Sequence, residues 1–184
     1  MTAIETSLKN FQSDVDQWMA ENVPKNPGFL LPLTFLEVGT EQQLDFLRDW
    51  QHKLWSAGFL GMHWPTKYGG QGSDAAFQGI VDKALTAHNA PIIFNTIGLN
   101  WTGPLLLDVG TEEDRQRYIK NILTGDEIWC QGFSEPDHGS DLGNVQTKAV
   151  RDGDEYIVNG SKIWTTLGNY ADHMILLART DNTT

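Results

Sequence analysis

The stretch that decides the fold is Trp129-Cys130-Gln131-Gly132-Phe133-Ser134-Glu135-Pro136-Asp137-His138-Gly139-Ser140-Asp141, read together with Lys162-Ile163-Trp164-Thr165-Thr166. It predicts a short strand ending near Gly132 and a tight loop from Glu135 to Asp141, with Pro136 and Gly139 as turn formers. Gly139-Ser140 offers free backbone N–H groups, and Ser134 and Ser140 offer hydroxyls, around a bend where strand hydrogen bonding has ended. Such a bend suits the polar edge of a ligand or phosphate oxygens, although Asp137 and Asp141 count against a bare phosphate nest. On an alternating strand Trp164 and Thr166 point to one face, an indole beside a hydroxyl, which is what a planar heterocycle with a polar edge needs. Each element also has a plain structural counterpart, a capped turn and a core Trp in a sheet.

Outward from this stretch the chain has two textures. After Asp126 the pattern is β: Val145, Thr147 and Ala149 alternate with Gln146, Lys148 and Val150. Asp152-Gly153 predicts a hairpin into Tyr156-Ile157-Val158, Asn159-Gly160 a second hairpin, and Ala171 to Thr180 a further strand with Ile175, Leu176 and Leu177 as a buried run. Before Asp126 the apolar residues fall at helical spacing, first as Ile4, Leu8, Phe11, Val15, Trp18 and Met19. Thr40 with Gln43 reads as a capping box opening a helix that Gly58 stops, and a third helix starts after Ser73 or Asp74. Pro91 suits the first turn of a fourth, and Thr111 caps a last one closed by Gly125. Five helices followed by strands predict an α+β protein, an N-terminal all-helical domain over residues 1–125 and, over residues 126–184, the first part of an antiparallel β-barrel-like domain.

Charge and composition narrow the partners. The 24 acidic and 13 basic side chains of the 184 residues leave a net charge of -11, which repels nucleic-acid backbones and anionic lipid surfaces. Hydrophobic residues make up 40%, with seven Trp and eight Phe, enough for one sizeable core or two small ones. Cys130 is the only cysteine, so no intrachain disulfide can form, and its setting between Trp129 and Gln131 reads as a buried small hydrophobe. The five histidines have no metal-ligand spacing with Cys130 or with each other, so no metal site is expected. His63, beside Trp64-Pro65, has two readings, a residue facing a substrate channel and, favoured here, a satisfied loop histidine. The N-terminus carries neither a secretory leader nor an Arg-rich transit pattern, and no run approaches the roughly 18 apolar residues of a membrane span, so a cytoplasmic, bacterial protein is expected.

The two elements, taken in order, resemble the acyl-CoA dehydrogenase family. The family's loop pattern is met by Gly132-Phe133-Ser134-Glu135-Pro136-Asp137-His138-Gly139-Ser140-Asp141, with His138 where a smaller residue is usual. Further similar runs are Trp64-Pro65-Thr66-Lys67-Tyr68-Gly69-Gly70, Gly110-Thr111-Glu112-Glu113, Asp152 to Gly160 and Ala171 to Arg179. The first of these, with Trp129-Cys130-Gln131, looks like the bacterial branch that acts on bulky acyl-CoAs, including steroid side chains.

The resemblance implies an FAD cofactor and removal of the α-proton and β-hydride of an acyl-CoA thioester to give the trans-2-enoyl-CoA. It places Gln131, Gly132, Phe133, Ser134, Gly139, Ser140, Trp164, Thr165 and Thr166 against the flavin, with Ser140 also touching the acyl-CoA. Gln131 stands where several family members carry an aromatic residue. These groups orient and tune the cofactor, which does the hydride chemistry. The family's catalytic glutamate comes from a C-terminal helical domain, so none is expected here; Glu135 has a structural place, and Glu112, Glu113, Glu127 and Glu155 read as solvated or helix-start charges. The chain is therefore expected to be the N-terminal part of a dehydrogenase that forms homo- or hetero-oligomers and passes electrons to an electron-transfer flavoprotein, and to be inactive alone. Two alternatives share this half: a non-catalytic subunit lending half a flavin site to a partner, and a flavin oxidase or monooxygenase.

Overall fold

The computed structural model describes residues 3–25 and 27–180, with side chains from Thr6 onward, so the side chain of Ile4 lies outside the described residues. The chain divides into two compact units, Met1–Glu127 and Ile128–Thr184.

The first unit is helical: α1 (Ala3–Asn22), α2 (Glu41–Ser56), α3 (Ala75–Ala87), α4 (Gly103–Val109) and α5 (Glu112–Thr124). Its core forms where the apolar stripes meet. Val15 and Met19 of α1, Leu47 and Leu54 of α2, Val81 of α3, and Ile119, Ile122 and Leu123 of α5 are all inaccessible to solvent. Each such side chain contributes about 1.5–3 kcal/mol relative to exposure. Phe11 and Trp18 of α1 meet the ring of Phe59 edge-on at 6.0 and 5.1 Å, which ties the first helix to the segment after α2.

The helix ends follow their local chemistry. The Thr40 hydroxyl accepts from the Gln43 N–H, and Gly58, at φ 81°, follows α2 as its left-handed stop. Asp74 caps α3 through the Ala76 N–H. Thr111 and Asp114 form a reciprocal capping box on α5, which ends at Gly125, φ 80°.

The fourth helix departs from expectation. Pro91 does not open it: residues 91–95 are irregular, the helix begins at Thr96, and a π turn over Gly98–Thr102 leads into α4. Tertiary bonds override the local preference of Pro91. Its carbonyl accepts from the Trp50 indole at 3.0 Å, and Asn95 is bound on both its backbone and side chain. The π turn precedes Pro104, which lacks the N–H that an α register would direct to the carbonyl four residues back.

A buried polar pair organises this unit. Gln51 interrupts the apolar stripe of α2, and its amide donates to the Ile122 and Leu123 carbonyls at 2.9 and 3.0 Å. Its Oε1 accepts from the Asn95 N–H at 3.3 Å, while the Asn95 amide donates to the Ile122 and Glu127 carbonyls at 3.1 and 3.0 Å. Two side chains thus satisfy the open carbonyls at the end of α5 and pin the 91–95 segment beside it.

The second unit holds β1 (Trp129–Gly132), β2 (Lys148–Asp152), β3 (Glu155–Asn159) and β4 (His173–Leu176). Together with the helical unit they make the expected α+β organisation, and the sheet is open, consistent with an incomplete barrel-like domain. β2 and β3 pair antiparallel around a turn at Gly153-Asp154, as the Asp152-Gly153 signal requires. β1 and β4 pair in parallel, Trp129 opposite His173 and Gly132 opposite Leu176, which a long crossover permits and a hairpin reading does not anticipate. The last strand is shorter than expected, although a bridge between Lys148 and Arg179 continues its line against β2. Leu176 is exposed, and Ile175 and Leu177 are half-buried, because β4 pairs with β1 alone among the described strands. Asn159-Gly160 makes no hairpin; a side chain at Gly160 would collide with Thr147, so this glycine serves close packing.

Replacing Gln51 by Leu keeps the helix-forming, apolar character of α2, strips the buried Leu123 carbonyl of its side-chain donor and the Asn95 N–H of its acceptor, and leaves the Ile122 carbonyl to Asn95 alone. The variant is expected to lose about 1–3 kcal/mol per unsatisfied group in urea unfolding, with Asn95→Ala losing a similar amount. Unchanged midpoints in both would refute this role for the pair.

Candidate functional site

The loop after β1 is built around the Glu135 carboxylate. Backbone bonds between Glu135 and His138, N–H to O in both directions at 2.8 and 3.1 Å, close the turn. The side chain, 5% exposed, folds inward: Oε2 accepts from the Gln146 N–H at 2.6 Å, and Oε1 from the Thr147 N–H at 2.8 Å and Lys162 Nζ at 2.9 Å. Lys162, itself buried, also donates to the Phe133 carbonyl at 3.0 Å. Burial alone would raise the Glu135 pKa; hydrogen bonds from Thr147, Gln146 and Lys162 outweigh it and hold the carboxyl far below the usual range. The carboxylate is thus held ionised.

This clamp brings two of the predicted segments together. Lys162 reaches Phe133 and Glu135, the Ile163 N–H donates to the Ser134 carbonyl at 2.9 Å, and the Leu177 N–H donates to the Gly132 carbonyl at 3.1 Å. Residues 132–135 therefore lie between the 162–163 segment and the chain leaving β4. Gly132 packs so closely on Met174 and Leu176 that a methyl group there would reach 2.5 Å from the Met174 sulfur. Phe133 and Ser134 are half-buried, and Gly139 and Ser140 lie exposed on the outer part of the loop.

Trp164 requires a correction. It is not on a strand: its φ is 57°, it is 81% exposed, and a turn begins at Thr166. A left-handed residue breaks the period-two alternation, so a shared face with Thr166 does not follow from spacing. The indole is presented outward between two anchored neighbours, Ile163 and the buried Leu167, which is also left-handed at φ 60°. Thr165 and Thr166 are half-buried. Gln131 projects from β1 with its Oε1 buried and without a hydrogen-bond donor among the described residues. Cys130 is buried as expected, and burial pushes its thiol pKa up, away from nucleophilic use.

The first unit contains a cavity of about 490 Å³ that sequence reasoning did not find. Leu60, Trp64, Leu85, Ile92, Ile93 and Leu99 give it apolar walls, while Gln78, Asp82 and Thr86 bring polar groups from α3, and His63 stands among its lining residues. Trp64 is held in place by glycines: a side chain at Gly103 would strike its ring, and one at Gly70 its carbonyl. The sequence signals for the cavity were the Trp64-Pro65 to Gly69-Gly70 run and the channel reading of His63, which ranked below that of a loop histidine. Among the described residues no three His, Cys, Asp or Glu side chains cluster as a metal site, and no helix is long and apolar enough to cross a membrane.

Removing the Glu135 charge isolates a buried ammonium. Glu135→Gln is expected to destabilise the second unit by about 3–5 kcal/mol, with Glu135→Gln combined with Lys162→Met recovering most of it. Because the folded pKa of Glu135 is depressed, the clamp's stabilisation is complete above the ordinary glutamate pKa of about 4.3 and is lost as pH falls below it. Amide exchange at Gln146 and Thr147 should therefore lose protection on acidification, and a pH-independent protection would refute the clamp.

Comparison with known proteins places these features. Residues 8–126 match the family model "Acyl-CoA dehydrogenase, N-terminal domain", and residues 130–184 match "Acyl-CoA dehydrogenase, middle domain". The chain is 34% identical over 185 residues to acyl-CoA dehydrogenase IpdE1 of Mycolicibacterium smegmatis, covering 95% of this chain and 47% of that protein. Among solved structures it is similar to the Tcur3481-Tcur3483 steroid ACAD (TM-score 0.77, 33% identity, 97% of this chain and 44% of that one). It is also similar to the ChsE4-ChsE5 complex from Mycobacterium tuberculosis (TM-score 0.76, 30% identity, 99% and 43%). A glutaryl-CoA dehydrogenase from Mycobacterium smegmatis in complex with FADH2 aligns with TM-score 0.67 at 26% identity, covering 95% and 43%. The chain spans about half the length of the curated relatives it matches.

Proposed function

The chain belongs to the acyl-CoA dehydrogenase family, and from that premise we propose that it supplies the flavin-facing wall and part of the acyl-binding surface of an FAD-dependent acyl-CoA dehydrogenase. The observation that carries this reading is the Glu135–Lys162 clamp, which sets the Phe133-Ser134 segment beside the strand-free segment that presents the Trp164 indole. The residues fit a flavin on two counts. An exposed, backbone-anchored indole suits stacking on a flat ring system, and the orphaned Gln131 oxygen suits a ring N–H donor. The FADH2-bound relative supports the same cofactor class.

In this reading Gln131, Gly132, Phe133, Ser134 and Gly139 line the isoalloxazine with Ser140, whose hydroxyl also touches the acyl-CoA. Trp164 packs on the ring, and Thr165 and Thr166 supply polar groups at its edge. When bound, the flavin accepts the β-hydride of the acyl group. The residues of this chain orient the ring, exclude water from it and stabilise negative charge on its pyrimidine edge through N–H and O–H donors. Neither Glu135, committed to its clamp, nor Glu112, bound to Lys67 and Tyr68, is placed to accept the α-proton. That base comes from outside these residues.

The cavity of the helical unit supports a bulky acyl group. An apolar cavity of about 150 Å³ accommodates one benzene ring, and about 490 Å³ is roughly three times that. A second reading, in which the chain is a non-catalytic subunit completing a partner's site, draws on the likeness to the ChsE4-ChsE5 complex.

Titration of the purified 184-residue chain with FAD is expected to give weak, saturable quenching of Trp fluorescence that Trp164→Phe removes, with no turnover of acyl-CoA. Absence of quenching would refute the flavin wall. A tightly flavinated, active preparation would refute the division of the site between this chain and residues outside it.

A further inference from the structure

The helix that borders the cavity turns a polar row toward it. Of the four α3 residues that line it, Gln78, Asp82 and Thr86 are polar and only Leu85 is apolar. Gln78 is half-buried and Asp82 and Thr86 are exposed, so this polar row, recurring at intervals of four, forms the water-facing edge of the cavity.

The hydrogen bonds along this wall determine what it offers a ligand. The Gln78 amide donates to Asp82 Oδ1 at 3.1 Å, and its Oε1 accepts from the Met62 N–H at 3.4 Å. The Thr86 hydroxyl donates its one hydrogen to the Asp82 carbonyl at 3.0 Å. The second Asp82 carboxylate oxygen has no donor among the described residues, and the Thr86 oxygen keeps its lone pairs. The wall therefore presents mainly acceptors. His63 and Asn100 line the cavity from other segments. An acceptor wall rewards a ligand O–H and leaves a ligand carbonyl facing lone pairs.

We propose that this cavity receives the far end of the acyl group and that Asp82, with Gln78 and Thr86, selects acyl groups whose far end carries a hydroxyl. The inference rests on the dehydrogenase reading and narrows its substrate class to bulky, hydroxylated acyl thioesters. Asp82 is a specificity residue: it is remote from any bond that breaks, and the Gln78 amide holds its carboxylate in place while Thr86 bonds its backbone carbonyl.

The test uses the full chain and three fused-ring carboxylic acids, lithocholic acid and its ketone and hydroxyl-free counterparts, with affinities read by calorimetry. The hydroxylated acid is expected to bind about tenfold more tightly than the other two, the increment of a hydrogen bond to a charged acceptor. Asp82→Asn, which exchanges an acceptor for a donor at an exposed helix position, should shift the preference toward the ketone. Thr86→Val should reduce the preference without reversing it, and Ala90→Trp, which fills the cavity, should abolish binding of all three, with circular dichroism reporting the fold of each variant. Equal affinities, no measurable binding, a preference unmoved by both polar variants or binding that survives Ala90→Trp would overturn the proposal. Flavin quenching by the same chain separates the two readings. A retained quench with no hydroxyl preference sinks this inference alone, and a retained preference with no quench sinks the flavin wall alone.

Discussion

A buried carboxylate without partners would cost the fold several kcal/mol, and the second unit is organised around avoiding that cost at Glu135. Two backbone N–H groups and one ammonium meet it, drawn from positions 11, 12 and 27 residues further along the chain. Because a charged acceptor in a dry setting tolerates little displacement, these bonds hold three stretches of irregular backbone in one arrangement. The loop from Phe133 to Thr147 and the segment around Lys162 thereby acquire a rigidity that their sequences, rich in turn formers, do not confer.

That rigidity is what permits the exposed Trp164. A bulky residue in the left-handed region costs roughly 1–2 kcal/mol, and a large exposed indole gains nothing from burial. Its neighbours offset this: Ile163 is bonded to Ser134 and Leu167 is buried. A strained, outward-facing aromatic held by anchored flanks is a feature that invites a ligand, and the same unit carries a buried Gln131 oxygen that lacks a donor among the described residues.

The helical unit applies the same physics differently. Gln51 and Asn95 place amides inside an apolar core because the end of α5 would otherwise bury bare carbonyls. Their bonds also draw residues 91–95 away from helix formation, and that segment then supplies Ile92 and Ile93 to the cavity wall. A structural need at one helix end so shapes a cavity whose opposite demand, on the α3 face, is polar. Trp64 completes the arrangement through contacts that only glycine at positions 70 and 103 allows.

Much of this was legible in the amino-acid sequence. Thr40, Asp74 and Thr111 cap helices, Gly58 and Gly125 stop them, and the turn at Gly153 joins two strands, since each of these acts through bonds within a few residues of itself. The loop from Gly132 to Asp141 and the runs around it were enough to mark the family. Tertiary structure alone decided the irregular course after Pro91, the parallel pairing of β1 with β4, the left-handed Trp164 and the existence of the cavity. The reason is one of range. Caps and tight turns are settled by neighbours in the chain, whereas these features depend on partners about 40 residues away, such as Trp50 for Pro91 and β4 for β1, whose bonds outweigh local preference.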